Sequence, residues 1–366
     1  MGLPGGLWLS SGDKKGLFGD ERKRKGKGMR AKFGLLFPGQ GAQIPGMGKD
    51  LYAVEPAARW VYDRADEITG RNIKKLCFEG STDELSTTAN SQPAIFTTSM
   101  AVLNVLAEKI KGAPIGIEGR EMFSSEDITA FASLAMGLSL GEPTSLVAAG
   151  VLSFEDALKF VVKRGEFMDE ASRKHEGKMV SIMGLDLGKV EELCAGIGCQ
   201  VANLNCPGQV VVSGHAGKVD LLADLAKNAG ARRAITLKVS GAFHSELMVE
   251  AKDKLKGVLA QMAFNPPKVD LICNVDAAVT RDPEKIRNNL ADQLDSRTLW
   301  EDSVKKASSL GIKDFIEVGP GSVLAGLLKK IDPTLVVTSL CAPDEINSFV
   351  SGAGLVNADA TGSSMN

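Results

Sequence analysis

One serine of this chain lies between two glycines, where an apolar run gives way to a helical pattern. The five residues are Gly137-Leu138-Ser139-Leu140-Gly141. A serine at the tip of a tight strand-to-helix turn exposes its hydroxyl, and flanking glycines let the turn close because they have no Cβ. The pattern predicts a nucleophile elbow with Ser139 as the attacking group. A structural turn is the alternative, since the chain contains 40 glycines.

A serine hydroxyl is a weak nucleophile until a base removes its proton, and three histidines are available for that role. His175 lies in a charged connection between predicted elements, and His215 lies where a predicted helix begins. His244 follows a predicted strand that returns the chain to its larger part. By elimination we expect His244 to be the general base, with a hydrogen-bonded loop histidine as the alternative.

Arg164 lies on the apolar side of a predicted helix. That helix begins after Ser153, and at about 100° per residue most of its charged side chains share one polar arc. Arg164 falls outside the arc, beside Met168, so its guanidinium is predicted to point inward and to need an anion. A planar guanidinium suits a substrate carboxylate; a buried structural ion pair is the alternative.

A second glycine-rich turn follows the first predicted strand. Its residues are Phe37-Pro38-Gly39-Gln40-Gly41-Ala42-Gln43. The glycines on either side of Gln40 would let its backbone N–H approach a ligand closely, as a donor to an oxyanion must. On spacing alone, a generic glycine turn explains the segment equally well.

Short apolar runs alternate with helical stretches, which predicts an α/β fold with a mainly parallel sheet. The predicted strands are 33–37, 128–136, 271–275, 315–318 and 335–340. Between residues 171 and 238 the order changes to strand, helix, strand, strand, helix, strand, which is the ferredoxin-like unit. We therefore expect a catalytic body, formed by residues 31–170 and 239–340, that carries a small inserted subdomain. A ligand is expected in the cleft between the two.

The composition is that of a globular chain of 366 residues, 44% hydrophobic and 24% charged. No run reaches the roughly 18 apolar residues of a membrane span, so we expect no membrane association. The six cysteines have neither CxxC nor zinc-site spacing, so we expect free thiols and no metal.

The two ends of the chain differ from the rest. Residues 1–32 hold nine Lys and Arg against three Asp and Glu, a net charge of +6, which leaves −8 on the remainder of a chain of net charge −2. Residues 1–30 are predicted to be a disordered arm or the remnant of an organelle-targeting peptide. Nucleic-acid binding is disfavoured because no aromatic residues are interleaved with the basic residues of segment 20–30, and the segment has no folded frame. Residues 341–366, rich in small residues, are predicted to be a flexible tail.

Seven ordered segments, from about Phe33 to Leu340, resemble the malonyl-CoA:acyl carrier protein transacylase family. These acyltransferases load malonyl units for fatty-acid and polyketide synthesis. The matching segments are the glycine turn, Ser91-Gln92-Pro93-Ala94, the elbow with Glu142, residues 164–168, Asn203 with residues 205–209, residues 241–245 and residues 317–324.

The resemblance implies an α/β-hydrolase-like body with a ferredoxin-like insert, and it implies roles for individual residues. Ser139 would be acylated, His244 would act as general base and acid, and Arg164 would hold the malonyl carboxylate. The backbone amides of Gln40 and Leu140 would form the oxyanion hole.

Three further residues join the substrate-binding set through the resemblance. Gln293 falls where family members orient the histidine through a main-chain carbonyl, so that a dyad suffices. Phe243 resembles members that take malonyl rather than methylmalonyl groups, and Asn205 lies in a matching segment. The implied mechanism is ping-pong without a cofactor, with malonyl-CoA and acyl carrier protein as partners and a monomer as the working unit.

The sequence departs from the family pattern at a few positions. Leu138 stands where most bacterial members have His and resembles plastid members, which favours a transit-related leader and a chloroplast stroma location, with the cytoplasm as the alternative. Pro143 replaces a frequent aromatic residue, and residues 295–300 lack the proline that usually precedes Trp300. These differences bear on the fit of the acyl group and of the carrier protein.

Three other functions remain open on the sequence alone. They are a serine esterase or thioesterase, a discrete acyltransferase serving polyketide synthesis, and a catalytically silent subunit that binds a carrier protein. Arg164 favours a transferase over a hydrolase, because a hydrolase of neutral esters has no use for an inward arginine. Carrier proteins are acidic, so Arg232, Arg233 and Lys238 are candidate docking residues.

Overall fold

The computed structural model describes residues 33–113 and 122–355. The strands in these residues are β1 Phe33–Phe37, β2 Ala132–Gly137, β3 Gly177–Met183, β4 Gln200–Cys206, β5 Gln209–His215, β6 Arg233–Thr236, β7 Asp270–Ile272, β8 Val279–Thr280, β9 Asp314–Val318 and β10 Val336–Leu340. The α-helices are α1 Lys49–Val54, α2 Pro56–Thr69, α3 Ile73–Glu79, α4 Thr82–Ser86, α5 Thr88–Lys111, α6 Ser125–Thr129, α7 Gly141–Ala148, α8 Phe154–Lys174, α9 Leu187–Ile197, α10 Ala216–Asn228, α11 Val249–Leu259, α12 Pro283–Asp292, α13 Trp300–Ser309, α14 Val323–Ile331 and α15 Pro343–Gly352. A short 3-10 helix, Glu246–Met248, precedes α11. The predicted leader, residues 1–30, lies outside the described residues.

Six strands form the body sheet, in the order β10-β9-β1-β2-β7-β8. Neighbouring strands are parallel except for the short β8, which pairs antiparallel with β7. Helices cover both faces, which is why the strands are continuous apolar runs. Leu35 and Phe37 pack in a cluster with residues of α5 and α8, whereas Leu36 packs with Trp300 and Leu324 on the other face.

Four strands form a separate antiparallel sheet, in the order β4-β5-β3-β6. Helices α9 and α10 cover one face and bury an apolar cluster that includes Val180, Val190, Val212 and Leu222. The strand-helix-strand-strand-helix-strand order is that of the ferredoxin-like unit. The predicted fold class, an α/β body carrying a ferredoxin-like insert, is confirmed. The predicted start of the insert at residue 171 falls inside α8, which continues to Lys174.

Helix α8 packs closely on the beginning of α5. Ser153 caps α8, and its Oγ accepts a hydrogen bond from the backbone N–H of Asp156 at 3.0 Å. A Cβ at Gly165 would lie 3.0 Å from the carbonyl oxygen of Thr88 and from the Cα of Ala89. A larger residue at 165 would therefore push the two helices apart and displace the side chains beside it.

The turns that follow β1 and β2 leave the same edge of the body sheet. Phe37 pairs with Gly137 at the carboxyl ends of these two parallel strands, and β7 lies next to β2 on its other side. In open parallel sheets, ligands bind outside the carboxyl ends of the strands. The fold thus brings three separate turns to the edge where a site is expected.

Two predicted strands of the body differ from the structure by more than one residue at an end. Residues 128 and 129 of the predicted strand 128–136 belong to helix α6, because Ser124 and Asp127 form a capping box that starts a helix there. The predicted strand 271–275 ends at Ile272, and the chain then turns. This second difference matters for the site, because residue 274 lies in the turn.

The predicted flexible tail is wrong where the structure describes it. Residues 343–352 form α15, with Pro343 at its first turn and the Glu345 carboxylate accepting from the N–H groups of residues 341 and 342 at 2.8 and 2.9 Å. Ile346 and Val350, one turn apart, are buried. The ring of Phe349 packs edge-on against Phe33, with centroids 5.4 Å apart. Residues 356–366 lie outside the described residues.

None of the helices in the described residues is long and apolar enough to cross a membrane.

Candidate active site

Ser139 occupies a strained turn between β2 and α7. Its backbone φ is 50°, in the left-handed region that a side chain with a Cβ rarely adopts. A Cβ at Gly137 would overlap the backbone of Gly141, and a Cβ at Gly141 would overlap the carbonyl group of Phe37. The two glycines therefore allow the turn to close and to present the Ser139 hydroxyl at the sheet edge.

His244 contacts the serine directly. Its Nε2 lies 2.9 Å from Ser139 Oγ, and its Nδ1 lies 2.7 Å from the backbone oxygen of Gln293. Because a carbonyl oxygen only accepts, Nδ1 carries the proton and Nε2 is free to accept from the serine hydroxyl. Burial, and then the charge of Arg164, lower the pKa of His244 to about 4. The imidazole is therefore neutral at physiological pH, as a general base must be.

Arg164 points inward, as its helix pattern predicts, and is almost fully buried. Its Nη2 donates to Ser139 Oγ at 3.1 Å and to the side-chain oxygen of Gln293 at 2.9 Å. Its Nε is buried and has no hydrogen-bond partner among the residues that the structure describes. Burial lowers the pKa of Arg164 to about 10, an effect that the charge of Glu142 partly offsets, so the side chain remains a cation at neutral pH.

Gln293, at the end of α12, connects the parts of the site through both its main chain and its side chain. Its backbone oxygen accepts from His244, and its side-chain oxygen accepts from Arg164. Its side-chain nitrogen donates to the backbone oxygen of Ser139 at 3.2 Å and to Glu142 Oε2 at 2.8 Å. The resemblance implied only the main-chain contact. These side-chain contacts join residues that are 129 to 154 positions apart, so no local pattern reveals them.

Two further residues of the site, Asn274 and Glu142, had no role assigned from the sequence. Asn274 Oδ1 accepts from the backbone N–H of Ser139, and its Nδ2 donates to the backbone oxygen of Gly137, both at 2.7 Å. The Asn274 N–H in turn donates to Glu142 Oε2 at 2.9 Å. The sequence signal for Asn274 is a polar residue near the carboxyl end of a predicted strand. Because the prediction extends that strand to residue 275, it places Asn274 inside the strand and not in the turn after it.

Glu142 is a completely buried carboxyl group in the first turn of α7. Burial raises its pKa to about 7, against the opposing effects of its hydrogen bonds to Asn274 and Gln293 and of the Arg164 charge. A carboxyl group with this pKa is partly protonated at neutral pH, which is unusual for Glu.

The backbone amides of Gln40 and Leu140 lie in adjacent turns. A Cβ at Gly39 would overlap the carbonyl oxygen of Leu138, so the two turns touch through their backbones. Neither the Gln40 nor the Leu140 N–H donates a hydrogen bond to another described residue. The Gln40 side chain donates to Thr88 Oγ1 at 3.3 Å. Two unused amide donors beside a nucleophile have the composition of an oxyanion hole.

The other predicted residues occupy less direct positions. Phe243 precedes His244 and is 5% exposed, within the main apolar cluster. Asn205 lies at an irregularity of β4, and its buried Oδ1 has no partner in the described part of the chain. The structure records no hydrogen bond between Asn205 and the serine, histidine or arginine. His215 is exposed where α10 begins, and His175 ends α8.

This arrangement provides a nucleophile, a neutral base, two amide donors and a buried cation, Arg164, whose Nε has no hydrogen-bond partner among the described residues. Among the described residues, no three His, Cys, Asp or Glu side chains cluster as metal ligands.

The sequence matches the acyl transferase domain family over residues 35–335. This chain belongs to that family. The predicted enzyme class, an acyltransferase, is thereby confirmed, and the relatives described next confirm the malonyl-CoA:acyl carrier protein transacylase family inferred from the seven segments.

Similar proteins share nearly the whole length of the acyltransferase. It is 45% identical over 321 residues to a Bacillus subtilis protein named malonyl CoA-acyl carrier protein transacylase, covering 86% of this chain and 95% of that protein. It resembles a crystal structure of the acyl-carrier-protein S-malonyltransferase from Bartonella henselae, with a TM-score of 0.80 and 34% identity over 88% of this chain and 99% of that one.

A third comparison involves a carrier protein. The acyltransferase resembles, with a TM-score of 0.80 and 34% identity over 88% of this chain and all of the other, a malonyl-transacylase solved in complex with its type II PKS acyl-carrier protein.

Proposed function

We propose that this acyltransferase transfers the malonyl group of malonyl-CoA to the phosphopantetheine thiol of acyl carrier protein through a malonyl ester of Ser139. One observation carries the proposal: the Ser139 hydroxyl lies between the neutral His244 and the buried Arg164, whose Nε has no partner among the described residues. Relatives that share most of this chain's length carry the name of this activity.

Acylation begins with His244. Its Nε2 accepts the hydroxyl proton while Ser139 Oγ attacks the thioester carbonyl carbon. The amides of Gln40 and Leu140 stabilise the oxyanion of the tetrahedral intermediate. The carbon–sulfur bond then breaks, and the CoA thiolate takes the proton from the imidazolium. The products are the acyl-serine, CoA-SH and neutral His244.

Transfer reverses these roles. The imidazole of His244 accepts the thiol proton of the carrier's phosphopantetheine arm, and the sulfur attacks the ester carbonyl. When the carbon–oxygen bond breaks, Ser139 Oγ recovers the proton from His244. The backbone oxygen of Gln293 stabilises the imidazolium in both half-reactions, which is why no carboxylate is required behind the histidine.

Arg164 selects the acyl group. A malonyl carboxylate offers two oxygens to the planar guanidinium, and the Nε donor without a partner is available for the second bond of a bidentate pair. An acetyl group leaves that donor unsatisfied. Phe243, beside His244, restricts the space next to the acyl α-carbon. Asn205, whose buried Oδ1 has no hydrogen-bond partner among the described residues, contributes to substrate binding.

The pathway and location are part of the same proposal. The product serves fatty-acid synthesis, with a polyketide carrier as the alternative that the third comparison keeps open. The enzyme acts as a monomer in the plastid stroma. The basic residues 1–32 and Leu138, which resembles plastid members, support that location.

The test is the intact mass of the protein after brief exposure to malonyl-CoA. One malonyl adduct is expected in the wild type and none in Ser139→Ala. Addition of holo carrier protein should remove the adduct and malonylate the carrier. Rapid release of free malonate without the carrier would identify a thioesterase instead, and no adduct in the wild type would identify a silent subunit.

A further inference from the structure

The catalytic steps above leave one buried titratable group without a role. Glu142 is completely buried, and two of its donors, the N–H of Asn274 and Nε2 of Gln293, contact the same oxygen, Oε2, while the thiol of Cys273 also faces the carboxyl group. Its other oxygen, Oε1, has no hydrogen-bond partner among the described residues. Burial of a carboxyl group with one oxygen unpaired lowers the free energy of unfolding, so we expect Glu142 to serve the site.

Through Asn274 and Gln293, Glu142 is connected to the nucleophile, the base and the buried cation. Asn274 holds the backbone on both sides of the elbow, since it accepts from the Ser139 N–H and donates to the Gly137 carbonyl. Gln293 holds Arg164 with its side-chain oxygen and His244 with its backbone oxygen. A hydrogen bond from Glu142 Oε2 to each of these two residues therefore fixes the nucleophile, the base and the cation together.

We propose that Glu142 is the positioning residue of this site, and that it takes up a proton when the carboxylate of the acyl group pairs with Arg164. The inference rests on the malonyl transfer proposed above and names a coupled proton that the transfer mechanism does not contain.

The charge balance gives the reason. The titratable groups that face Glu142 are Arg164 from α8 and the thiol of Cys273 after β7, with His244 reached through Gln293. Without substrate, one buried cation accompanies one ionisable carboxyl. A bound malonyl group adds a second carboxylate beside the same cation, and like charges in a poorly hydrated interior disfavour joint ionisation.

Glu142 is able to respond at neutral pH. Its pKa of about 7 means that the proton is gained or lost at little cost near pH 7. Below that pKa the carboxyl is already neutral, so carboxylate binding needs no extra proton and does not depend on pH. Above it, binding must be accompanied by proton uptake, so acylation by malonyl-CoA weakens as the pH rises. An acetyl group carries no charge, and its transfer should not show this decline.

Glu142→Gln separates charge from shape. A glutamine whose carbonyl oxygen takes the place of Oε2 accepts from both Asn274 and Gln293, but it cannot ionise. Glu317→Gln is the matched control, because Glu317 is also completely buried and has a raised pKa, yet it accepts hydrogen bonds from the N–H groups of Leu324 and Ala325 and from Ser339 Oγ, which lie outside the site.

The experiment measures single-turnover acylation of Ser139 by malonyl-CoA and acetyl-CoA from pH 6 to pH 9, followed by intact mass. Above pH 7, malonyl acylation of the wild type and of Glu317→Gln should fall relative to acetyl acylation by up to about tenfold per pH unit, which is the limit for one coupled proton. Glu142→Gln should lose that decline. Glu142→Ala should acylate at least about tenfold more slowly than Glu142→Gln with both acyl groups, because it supports neither donor.

The outcomes distinguish the two proposals. A wild type that shows no malonyl adduct overturns the proposed function and this inference with it. A wild type that is acylated but shows no alkaline decline, or a Glu142→Gln variant that keeps the decline, overturns the coupled proton alone. Equal rates for Glu142→Ala and Glu142→Gln overturn the positioning role.

Discussion

Ser139 and His244 both have a left-handed backbone, with φ of 50° and 57°, and their side chains meet at 2.9 Å although 105 positions separate them. Residues in this conformation cost about 1–3 kcal/mol each and persist only where the surrounding structure holds them. Both residues of the dyad are therefore strained, and this backbone conformation places the hydroxyl and the imidazole side by side at the edge of the sheet.

The strain at Ser139 predicts a difference between two inactive variants. Ser139→Gly should be about 1 kcal/mol more stable than Ser139→Ala, because glycine adopts a positive φ without penalty and alanine does not. Urea unfolding of the two proteins measures the difference. A pair with equal midpoints would indicate that the elbow relaxes when the hydroxyl is absent. Both variants should fail to form the malonyl adduct.

The low pKa of His244 sets the acid limit of activity. A base works only when unprotonated, so acylation by acetyl-CoA should stay constant from neutral pH down to about pH 5 and fall as the imidazole becomes charged near pH 4. Arg164→Ala removes a nearby positive charge and should move that limit to higher pH. A limit near pH 6.5 in the wild type would contradict the buried, neutral histidine.

Arg164 should decide between acyl groups. Arg164→Ala is expected to lower kcat/KM for malonyl-CoA by about 100-fold or more, the loss of a charged pair in a buried site, while acetyl transfer is spared or improved. Arg164→Lys keeps the charge without the planar fork and should give an intermediate value. Parallel assays with the two thioesters measure the ratio. An equal loss for both acyl groups would mean that Arg164 serves the fold alone.

Asn274 should matter for both stability and rate. Asn274→Ala leaves the Ser139 N–H and the Gly137 carbonyl without their partner, which should cost about 1–3 kcal/mol of unfolding free energy. The elbow should then move, so acylation should slow about tenfold or more with both thioesters. Asn104→Ala is the control for general destabilisation, because it likewise removes a buried amide that joins two backbone groups, those of Ala57 and Phe123, away from the elbow. Unchanged acylation in Asn274→Ala would exclude a positioning role.

The carrier protein is expected to approach the edge strand of the insert. Arg232 and Arg233 are exposed at the start of β6, and Lys238 is exposed just after it. Reversal of these three to Glu should raise KM for carrier protein several-fold and leave acylation by malonyl-CoA unchanged, since acidic partners are steered by such charges. Lys227→Glu, on α10 of the same insert, is the matched control. An unchanged KM in the triple variant would exclude this docking surface.

Local pattern was sufficient for the elements that carry the chemistry. Gly137 and Gly141 specify the elbow because only glycine fits where the backbones touch, and the polar arc of α8 leaves Arg164 on the buried side. The strand-and-helix order of the insert is likewise visible, because each element there is short and bounded by turn residues. These features depend on spacing within one element.

Long-range contacts could not be predicted in the same way. The partners of Asn274, Glu142 and the Gln293 side chain are set by the order of strands in the sheet and by which helix ends meet, which a single sequence does not specify. The tail prediction failed for a different reason. The small residues after Ser351 are typical of a flexible segment, and the prediction followed that composition. The helical spacing of Ile346 and Val350, which lie one turn apart, is the pattern that indicates α15.

The contact between Phe33 and Phe349 has a topological consequence. The first described strand and the last described helix lie side by side, so an aromatic contact joins two elements that are far along the chain from each other and from the serine and the histidine. The groups of the candidate site come from the chain between these two elements, with Ser139 after β2, Arg164 within α8, His244 before the 3-10 helix and Gln293 after α12. The site therefore depends on which elements meet at the edge of the sheet, and the Phe33–Phe349 contact closes the body at a place that contributes no group to it.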